Sequence, residues 1–341
     1  MDLLPTPEQE EIASSAAAFL ARALPRARTR ELFGEPSNVD AKAWLAAADL
    51  GWFALGLPSE LGGVGGGLAD EALLFREIGR SLAPGPFLAT TLAVRVASFA
   101  GQAQLGQEIS AGRRVGFGAL GAGATLTSSG VTGTLYVVDG DDTDLVLVST
   151  DERAGLFDRA ELGDLTTLEC LDPTSRLSRA TAANPHPVAT VEARVDPVGR
   201  RATALVAALL TGIAEATGAI ATEHAKSRNQ FGRPIGVHQA VKHPCADMAV
   251  RAELSWAQTA VAALATDEGR RDAELQCLSA LVVAADAAER NGAATVQVLG
   301  GMGFTFEHDA QLYVKRVFLL TQLLAPVRLA LSRLVLLPGP E

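Results

Sequence analysis

The feature that most constrains the fold of this chain is a change of hydrophobic period along it. Near the N-terminus, apolar residues such as Ile12, Ala16 and Phe19 recur every three or four positions, which is typical of amphipathic helices. From about residue 113, short β-branched or alternating runs bounded by Gly, Asp and Ser indicate strands. From Val198 onward the helical pattern returns. The order helices, strands, helices predicts an α+β fold that is mainly α.

This order predicts three domains. They are an N-terminal helical domain over residues 1–112, a small middle β domain over 113–196, and a C-terminal helical domain over 197–341. Thr6 followed by Pro7 and Gln9 predicts a capping box at the start of the first helix. Pro244 and Gly269 are expected to interrupt the later helices. The predicted strands are 115–120, 131–138, 144–149, 176–181 and 188–195.

Charge and composition exclude several classes of function. The net charge of −10 argues against nucleic-acid binding, which needs a surplus of Lys and Arg. No uninterrupted apolar run approaches the ~18 residues of a membrane span, and the first residues lack the features of a signal peptide. The three cysteines have no CxxC spacing and the five histidines form no ligand-like cluster. We therefore predict a cytoplasmic protein without a metal site.

The first segment with chemical information is Ser227–Gly236, at the end of a long predicted helix. Arg228 and Arg233 place two permanent cations beside a Gly-Arg-Pro turn that cannot continue the helix. A helix restarts from Val237, and its N-terminal amides can also face an anion. An anion site is one interpretation of the arginine pair, and a solvated helix cap is the other.

The second segment is Gln297–Glu307, which carries Gly300, Gly301 and Gly303 after a helical run. Three glycines at a helix end can be a simple C-terminal stop. They also let the backbone approach a flat, bulky ligand without intervening side chains. Gln297 supplies an amide that both donates and accepts, which suits an adenine or ribose edge.

Together and in this order, the two segments resemble the acyl-CoA dehydrogenase family, whose pattern is Arg-x-x-Phe-Gly, a Gln a few residues on, and a later Gln-x-x-Gly-Gly-x-Gly. Further landmarks are Gly51–Leu61, Glu77–Pro86 and Leu312–Arg316, so the resemblance spans nearly the whole chain. It implies a C-terminal four-helix bundle, FAD as the cofactor, and α,β-dehydrogenation of an acyl-CoA thioester, an oxidoreductase activity on CH–CH donors. The positions that match the pattern are Arg228, Phe231, Gly232, Gln239, Gln297, Gly300, Gly301 and Gly303.

The resemblance also implies roles for these residues. In the family, FAD lies extended at a subunit interface, and the two segments face the flavin of the neighbouring subunit. Arg228 would contact the pyrophosphate, with Gln230 and Phe231 lining it. Gln239 and the segment Gln297–Gly301 would hold the adenosine end.

The chain departs from the family pattern at the catalytic base. The reaction removes an α-proton with a carboxylate while a β-hydride passes to the flavin, so a base is indispensable. The usual Glu, just after the Tyr-x-x-Arg helix, is replaced by Leu324 in the nearest alignment. A less common position, early in the long helix before the Arg-x-x-Phe-Gly turn, is occupied by Ala202. No catalytic residue is therefore identified.

The middle β domain departs from the pattern as well. The Thr-Glu-Pro-Gly flavin loop of the family corresponds to Ala119–Thr125, which lacks the Glu-Pro. The family's Trp-x-Thr strand becomes Tyr136-Val137-Val138. The contacts to the flavin ring are thus missing or replaced, whereas the adenosine-end motif is intact.

These departures favour a base-less subunit of a hetero-oligomer, which completes the FAD site of a partner that bears the catalytic Glu. Such heteromers act in actinobacterial steroid side-chain degradation, so a bulky sterol-derived acyl-CoA is a candidate substrate, with electron-transfer flavoprotein or a similar acceptor. One alternative is a self-sufficient homo-dimer or homo-tetramer whose base is Glu223, Glu307 or Asp309, although a structural or interface role is preferred for Glu307, His308 and Asp309. The other alternative is a non-catalytic acyl-CoA-binding or scaffold subunit without flavin.

Overall fold

The computed structural model of the chain describes residues 4–35, 37–324 and 326–338. The chain forms two compact units. The first contains the chain up to Ala21, then Ala72–Leu82, and then Ala204 onward. The second contains Arg22–Glu71 and Ala83–Thr203. The division into domains at residues 112 and 196 stays a prediction.

Helices occupy both ends of the described chain, as the apolar spacing predicts. The predicted capping box is confirmed, because the Thr6 amide donates to Gln9 Oε1 at 3.1 Å and the Gln9 amide donates to Thr6 Oγ1 at 3.3 Å. The helices are α1 Pro7–Ala23, α2 Arg26–Glu31, α3 Ala41–Asp49, α4 Leu68–Ser81, α5 Phe87–Phe99, α6 Ala103–Ser110, α7 Val198–Ser227, α8 Gln239–Asp267, α9 Ala273–Leu299, α10 Ala310–Leu323 and α11 Val327–Leu334.

Strands lie mainly between α6 and α7, as the sequence predicts. The strands are β1 Val115–Leu120, β2 Thr125–Leu126, β3 Val131–Val138, β4 Leu145–Ser149, β5 Arg153–Asp158, β6 Thr166–Leu168, β7 Leu177–Ala183, β8 Ala189–Glu192, β9 Asn229–Gln230 and β10 Arg233–Pro234. β1 and β3 begin and end where predicted, and β4, β7 and β8 lie within three residues of the predicted bounds. Five strands are missing from the predicted set, namely β5 and the short β2, β6, β9 and β10.

In the second unit, eight strands form one sheet in the order β6-β7-β3-β1-β4-β5-β8, with β2 paired to β3. The β1–β4 pair is parallel and the other pairs are antiparallel. α5 packs against β1, β4, β5 and β8 and is buried from Phe87 to Ser98. The other face holds an apolar core made of Val131, Leu135, Val137, Val146, Val148, Phe157, Leu162, Ala180 and Ala182.

In the first unit, buried polar side chains tie α7, α8 and α9 together. Asn291 Nδ2 donates to the carbonyl oxygens of Ala214 at 3.0 Å and Met248 at 2.9 Å, so one amide links three helices. The Thr295 hydroxyl donates to the carbonyl oxygen of Thr217 at 2.9 Å. α10 packs on α9 and completes the four-helix bundle.

The bundle departs from the sequence expectation at Pro244. α8 runs through this residue from Gln239 to Asp267, so the predicted interruption is wrong there. Pro244 stands close to the helix N-terminus, where its missing N–H removes only one hydrogen bond of a 29-residue helix. Gly269, with a φ of 63°, does follow the end of α8, as predicted.

α7, with 30 residues, is long and apolar enough to cross a membrane, but 78% of its most apolar stretch is buried inside the protein. Part of the burial comes from α4, since a Cβ on Gly79 would overlap the carbonyl of Leu209 and a Cβ on Gly212 would overlap that of Arg76. α7 is therefore a core helix of a soluble fold.

The polar link between the three helices predicts a stability effect. Asn291→Ala is expected to lower the free energy of unfolding by about 2–3 kcal/mol, because it removes buried hydrogen bonds and leaves a cavity. Urea denaturation followed by circular dichroism measures the loss. Glu289→Ala, at an exposed position of the same helix, is the matched control and should change stability by less than about 0.5 kcal/mol. Equal effects of the two substitutions would contradict this role of Asn291.

Candidate functional site

The directions of the bundle helices bring the two informative segments to one place. Asn291 of α9 donates to the carbonyl oxygen of Ala214 in α7, and Thr295, one turn later in α9, donates to that of Thr217, one turn later in α7. α7 and α9 therefore run parallel. α8 runs antiparallel to α7. The hydroxyl of Thr211 in α7 meets that of Ser255 in α8, whereas Asn291 links Ala214, one turn later in α7, to Met248, which comes earlier in α8. The C-termini of α7 and α9 and the N-terminus of α8 consequently lie at the same end of the bundle.

A β-hairpin with a two-residue loop follows α7 at this end. Gln230 pairs with Arg233 and Asn229 pairs with Pro234 in register, which places the side chains of Gln230 and Arg233 side by side. The amide of Ile235 donates to the carbonyl oxygen of Arg228 at 2.8 Å and closes the hairpin. The hairpin therefore holds Arg228 and Arg233 at the end of the bundle.

Phe231 and Gly232 form the tip of the hairpin with φ values of 52° and 78°. Two positive φ values in a two-residue loop are those of a type I′ turn, which favours Gly, Asn and Asp. A phenylalanine in this conformation costs about 1–3 kcal/mol. The Phe231 side chain is 92% exposed, so no burial offsets this cost within the chain. A strained and exposed aromatic side chain indicates a contact with another molecule.

The glycines after α9 serve three different purposes. Gly300 has a φ of 62° and a ψ of −138°, a conformation that only glycine adopts readily. A Cβ on Gly303 would lie 2.8 Å from the carbonyl oxygen of Val296, so this glycine is needed for packing. A Cβ on Gly301 would meet no described atom within 4 Å. Gly301 thus leaves open backbone at the surface, and Gln297 is exposed one turn earlier.

This end of the bundle carries the two exposed arginines of the hairpin. Arg228 and Arg233 are exposed, and neither guanidinium has a hydrogen-bond or ion-pair partner in the part of the chain that the structure describes. Burial lowers the pKa of the nearby His224 imidazole, and the charges of Arg228 and His308 lower it further. Arg228 of the hairpin and His308 of the segment after α9 are therefore both close enough to His224 for their charges to lower its pKa.

The residues at this end fit the adenosine and diphosphate portion of FAD. Two unpaired guanidinium groups suit a diphosphate, because arginine forms charge-assisted and bidentate bonds to phosphate oxygens. The open backbone at Gly300 and Gly301 leaves room for a flat group. Gln239, the first residue of α8, and Gln297 are exposed amides at the same end. The seven residues predicted to bind the cofactor thus occur together.

Neither predicted position of the base holds a carboxylate. Leu324 follows α10 directly and is half-buried. Ala202 lies in α7 and is 0% exposed. The nearest side chain along α7, Arg201, forms a buried ion pair with Glu71 at 2.5 Å. Glu71 is 1% exposed and neutralised by this arginine, so it is unsuited to accept a proton from a substrate.

The other carboxylates considered from sequence lie at the surface or at a helix start. Glu223 is exposed in the last turns of α7. Glu307 and Asp309 precede α10, and each interacts with other groups of the chain. Nδ1 of His308 accepts from the amide of Ala310 at 3.0 Å. This segment therefore initiates α10, which agrees with the structural role preferred for it.

On the sheet of the second unit, Tyr136 is 41% exposed on β3. Its neighbours across the sheet are Ala119 of β1 and Arg179 of β7. The next pair on the same face is Thr134 of β3 and Thr181 of β7. This face presents hydroxyl groups and one phenol, where the family pattern has an indole. In the described ranges, no group of three or more His, Cys, Asp or Glu side chains could hold a metal ion.

The sequence reasoning missed the apolar side chains that surround the site. Met302, Phe304 and Phe306 lie after Gly301 and are 44%, 81% and 59% exposed. The ammonium of Lys315 lies 5.3 Å from the centre of the Phe306 ring. The available signal was three large apolar residues at alternate positions directly after Gly300 and Gly301, a spacing typical of a strand in a segment that has no partner strand predicted nearby.

Comparison with known proteins places the chain in a family. Residues 6–108 match the N-terminal domain of acyl-CoA dehydrogenases, and residues 200–323 match their C-terminal domain. Acyl-CoA dehydrogenase IpdE2 of Mycobacterium tuberculosis is 33% identical over 336 residues, which cover 97% of this chain and 98% of that protein.

Solved structures resemble the chain over its whole length. The Tcur3481–Tcur3483 steroid ACAD has a TM-score of 0.86 at 25% identity and 96% coverage of both chains. The ChsE4–ChsE5 complex of Mycobacterium tuberculosis has a TM-score of 0.87 at 24% identity, with complete coverage of both chains. The chain belongs to the acyl-CoA dehydrogenase family, the FAD-dependent oxidoreductases that act on CH–CH donors.

Proposed function

We propose that this chain is the base-less subunit of a hetero-oligomeric acyl-CoA dehydrogenase and that it completes the FAD site of a catalytic partner subunit. The observation that carries the proposal is that the residues for the adenosine end of FAD are present while both positions of the catalytic base lack a carboxylate. The adenosine-end residues are all present at the end of the bundle, whereas Leu324 and Ala202 occupy both positions of the base. A chain that had lost flavin altogether would not need two unpaired arginines beside an exposed Phe231.

Each residue has a defined task in this proposal. Arg228 neutralises the diphosphate of the partner's cofactor, and Gln230 and Phe231 line it. Gln239 and Gln297 donate to and accept from the adenosine, and Gly300 and Gly301 let the backbone approach it. When bound, FAD supplies the hydride acceptor. The proton acceptor is a carboxylate of the partner subunit.

Two similar structures support a hetero-oligomer. ChsE4–ChsE5 is a complex of two differently named chains, and Tcur3481–Tcur3483 is a steroid ACAD of the same kind of composition. By analogy, the chain acts in a heterotetramer on a bulky, sterol-derived acyl-CoA in the cytoplasm. Electron-transfer flavoprotein, or a similar acceptor, would reoxidise the flavin.

Purification with and without a partner tests the proposal. The chain is expressed alone and together with acyl-CoA dehydrogenase chains that carry a Glu-Gly-Thr segment, and flavin absorbance and dehydrogenation with an artificial electron acceptor are recorded. The proposal expects flavin and activity in a co-purified complex. Full activity of the chain alone would favour the self-sufficient alternative, and absence of flavin in every combination would favour the scaffold.

Removing the arginine assigned to the diphosphate predicts a loss of cofactor. Arg228→Ala is expected to weaken FAD binding by the complex about tenfold to a hundredfold, since a hydrogen bond to a charged group contributes about 1.5–3 kcal/mol. Titration of the apo complex with FAD, followed by flavin fluorescence, measures the affinity. Arg290→Ala, at an exposed site on α9, is the matched control. Unchanged FAD affinity of Arg228→Ala would contradict the assignment.

A further inference from the structure

Four charged side chains meet between α4 and α7 in the first unit. Arg76 Nε donates to Oε1 and Oε2 of Glu215 at 2.8 and 3.0 Å, and Nη2 of Arg80 pairs with Oε2 of the same carboxylate. The fourth member, Glu77, is 7% exposed. We call Arg76, Glu77, Arg80 and Glu215 the α4 charge cluster. Glu215 lies about three and a half turns before Arg228 in α7, so the cluster is separate from the candidate cofactor site.

Glu77 is the poorly paired member of the α4 charge cluster. Its Oε1 lies 3.4 Å from Arg80 Nη2, whereas a charge-assisted hydrogen bond is about 2.7–2.9 Å long. Arg80 Nε is buried and has no hydrogen-bond partner among residues 4–35, 37–324 and 326–338. Arg80 is therefore held by Glu215, while one of its own N–H groups stays unused. A buried carboxylate with a single weak ion pair is costly when it is ionised.

The surroundings of Glu77 favour its protonated form. Burial raises the pKa of the Glu77 carboxyl above its ordinary value of 4.5. The charges of Arg80 and Arg76 act against this effect, and the charge of Glu215 adds to it. The balance is a raised pKa, because burial is the largest of these effects.

The helices on the other sides of the α4 charge cluster contact it with aromatic side chains. The ring centre of Trp256 in α8 lies 4.4 Å from Arg76 Cζ. The hydroxyl of Tyr313 in α10 donates to the carbonyl oxygen of Arg80 at 2.8 Å. Neither contact brings a further charge to Glu77, so its state depends on burial and on the other three members of the cluster.

We propose that the α4 charge cluster is a proton-sensitive catch between α4 and α7, in which Glu77 and Glu215 compete for Arg80. An ionised Glu77 draws Arg80 away from Glu215. When Glu77 binds a proton, the competition ends and Arg80 pairs with Glu215 alone, which fastens α4 to α7. The catch belongs to this chain by itself and does not depend on the proposed function.

The raised pKa determines the direction of the pH effect. The folded chain binds the proton of Glu77 more tightly than the unfolded chain does, so acid favours folding at this position. The stability that this proton contributes is fully present below the pKa of the unfolded chain, and it is lost as the pH rises through the raised pKa. Mildly acidic solution should therefore stabilise the first unit through Glu77.

Urea unfolding of wild type and Glu77→Gln, followed by circular dichroism, tests the catch. Because Gln imitates the protonated carboxyl, the unfolding constant of Glu77→Gln at pH ~7.5 is expected to be at least about threefold smaller than that of wild type. The difference should shrink as the pH falls to ~5, since wild type then takes up the proton. Glu289→Gln, at an exposed position of α9, is the matched control and should show no such pH dependence.

A second background tests the competition itself. In Glu215→Gln protein, Glu77 is the only counter-charge for Arg76 and Arg80 within the cluster. Glu77→Gln should then lower the stability at neutral pH instead of raising it. The same effect of Glu77→Gln in both backgrounds would show that the two carboxylates do not compete, and would overturn the proposal.

Trp256 fluorescence gives a readout that does not need unfolding. Arg76 contacts both the Trp256 ring and Glu215, so a rearrangement of the cluster should change the part of the emission that Trp256→Phe removes. This part should titrate in wild type between pH ~7.5 and ~5 and stay constant in Glu77→Gln. A stability difference between wild type and Glu77→Gln that is equal at both pH values would overturn the proposal. Lower stability of Glu77→Gln than of wild type at neutral pH would overturn it as well.

Discussion

The chain purified alone should dehydrogenate an acyl-CoA at least about a hundredfold more slowly than the same chain combined with a base-bearing subunit. The physical reason is that the proposed subunit has no proton acceptor of its own, and a positioned general base contributes about 10²–10⁴-fold to such a step. Leu324 and Ala202 cannot accept a proton, and Glu71 is held in a buried ion pair with Arg201. Initial rates with an artificial electron acceptor and saturating FAD measure the ratio.

The partner alone is the necessary control for this ratio. In the proposed assembly, the FAD site of the isolated partner lacks the bundle end of this chain, so the isolated partner should hold flavin poorly and gain activity when the two chains are mixed. A rate of the isolated chain that equals that of the complex would show that it carries its own base. In that case Glu223, Glu307 and Asp309 would be substituted one at a time to find it.

The second large effect is expected from a buried ion pair in the second unit. Asp196→Ala should lower the free energy of unfolding by about 3–5 kcal/mol, because it leaves the Arg95 charge buried without its counter-ion. Arg95 Nε donates to Asp196 Oδ2 at 2.9 Å, its Nη2 pairs with Oδ1, and its Nη1 donates to the carbonyl oxygen of Gly56. The two charged side chains are 7% and 4% exposed.

Tryptophan fluorescence can isolate the unit in which this occurs. Trp44 and Trp52 belong to the second unit and Trp256 belongs to the first. In a Trp256→Phe background, urea unfolding followed by fluorescence therefore reports the second unit. The double variant Arg95→Met/Asp196→Leu removes both charges and should recover most of the lost stability. A loss of less than about 1 kcal/mol from Asp196→Ala would contradict the role given to the pair.

The order of helices and strands could be predicted because local signals agree with the fold. β1 and β3 have clear bounds of Gly, Asp and Ser, and the capping box at Thr6 forms as its residues suggest. β5 could not be found in this way, because Gly155 and charged residues at both ends obscure a short apolar run. The interruption expected at Pro244 is wrong because proline is tolerated near a helix start.

The residues of the site could be named from sequence, but their convergence could not. Gly232 and Gly300 are far apart in the chain, and nothing in their spacing shows that α7 and α9 end side by side. The buried hydrogen bonds of Asn291 and Thr295 fix that arrangement. The exposure of Phe304 was equally unpredictable, because an aromatic residue near a helix end usually belongs to the core.

The central claim is that this chain lends its bundle end to the flavin of a partner and supplies no base. Anaerobic bleaching of the flavin by acyl-CoA in the assembled complex tests it most directly. One complex carries Glu223→Gln, Glu307→Gln and Asp309→Asn in this chain, and the other carries Glu→Gln at the base of the partner subunit. The first should bleach at the wild-type rate and the second should hardly bleach. Loss of bleaching in the first, with bleaching retained in the second, would contradict the claim.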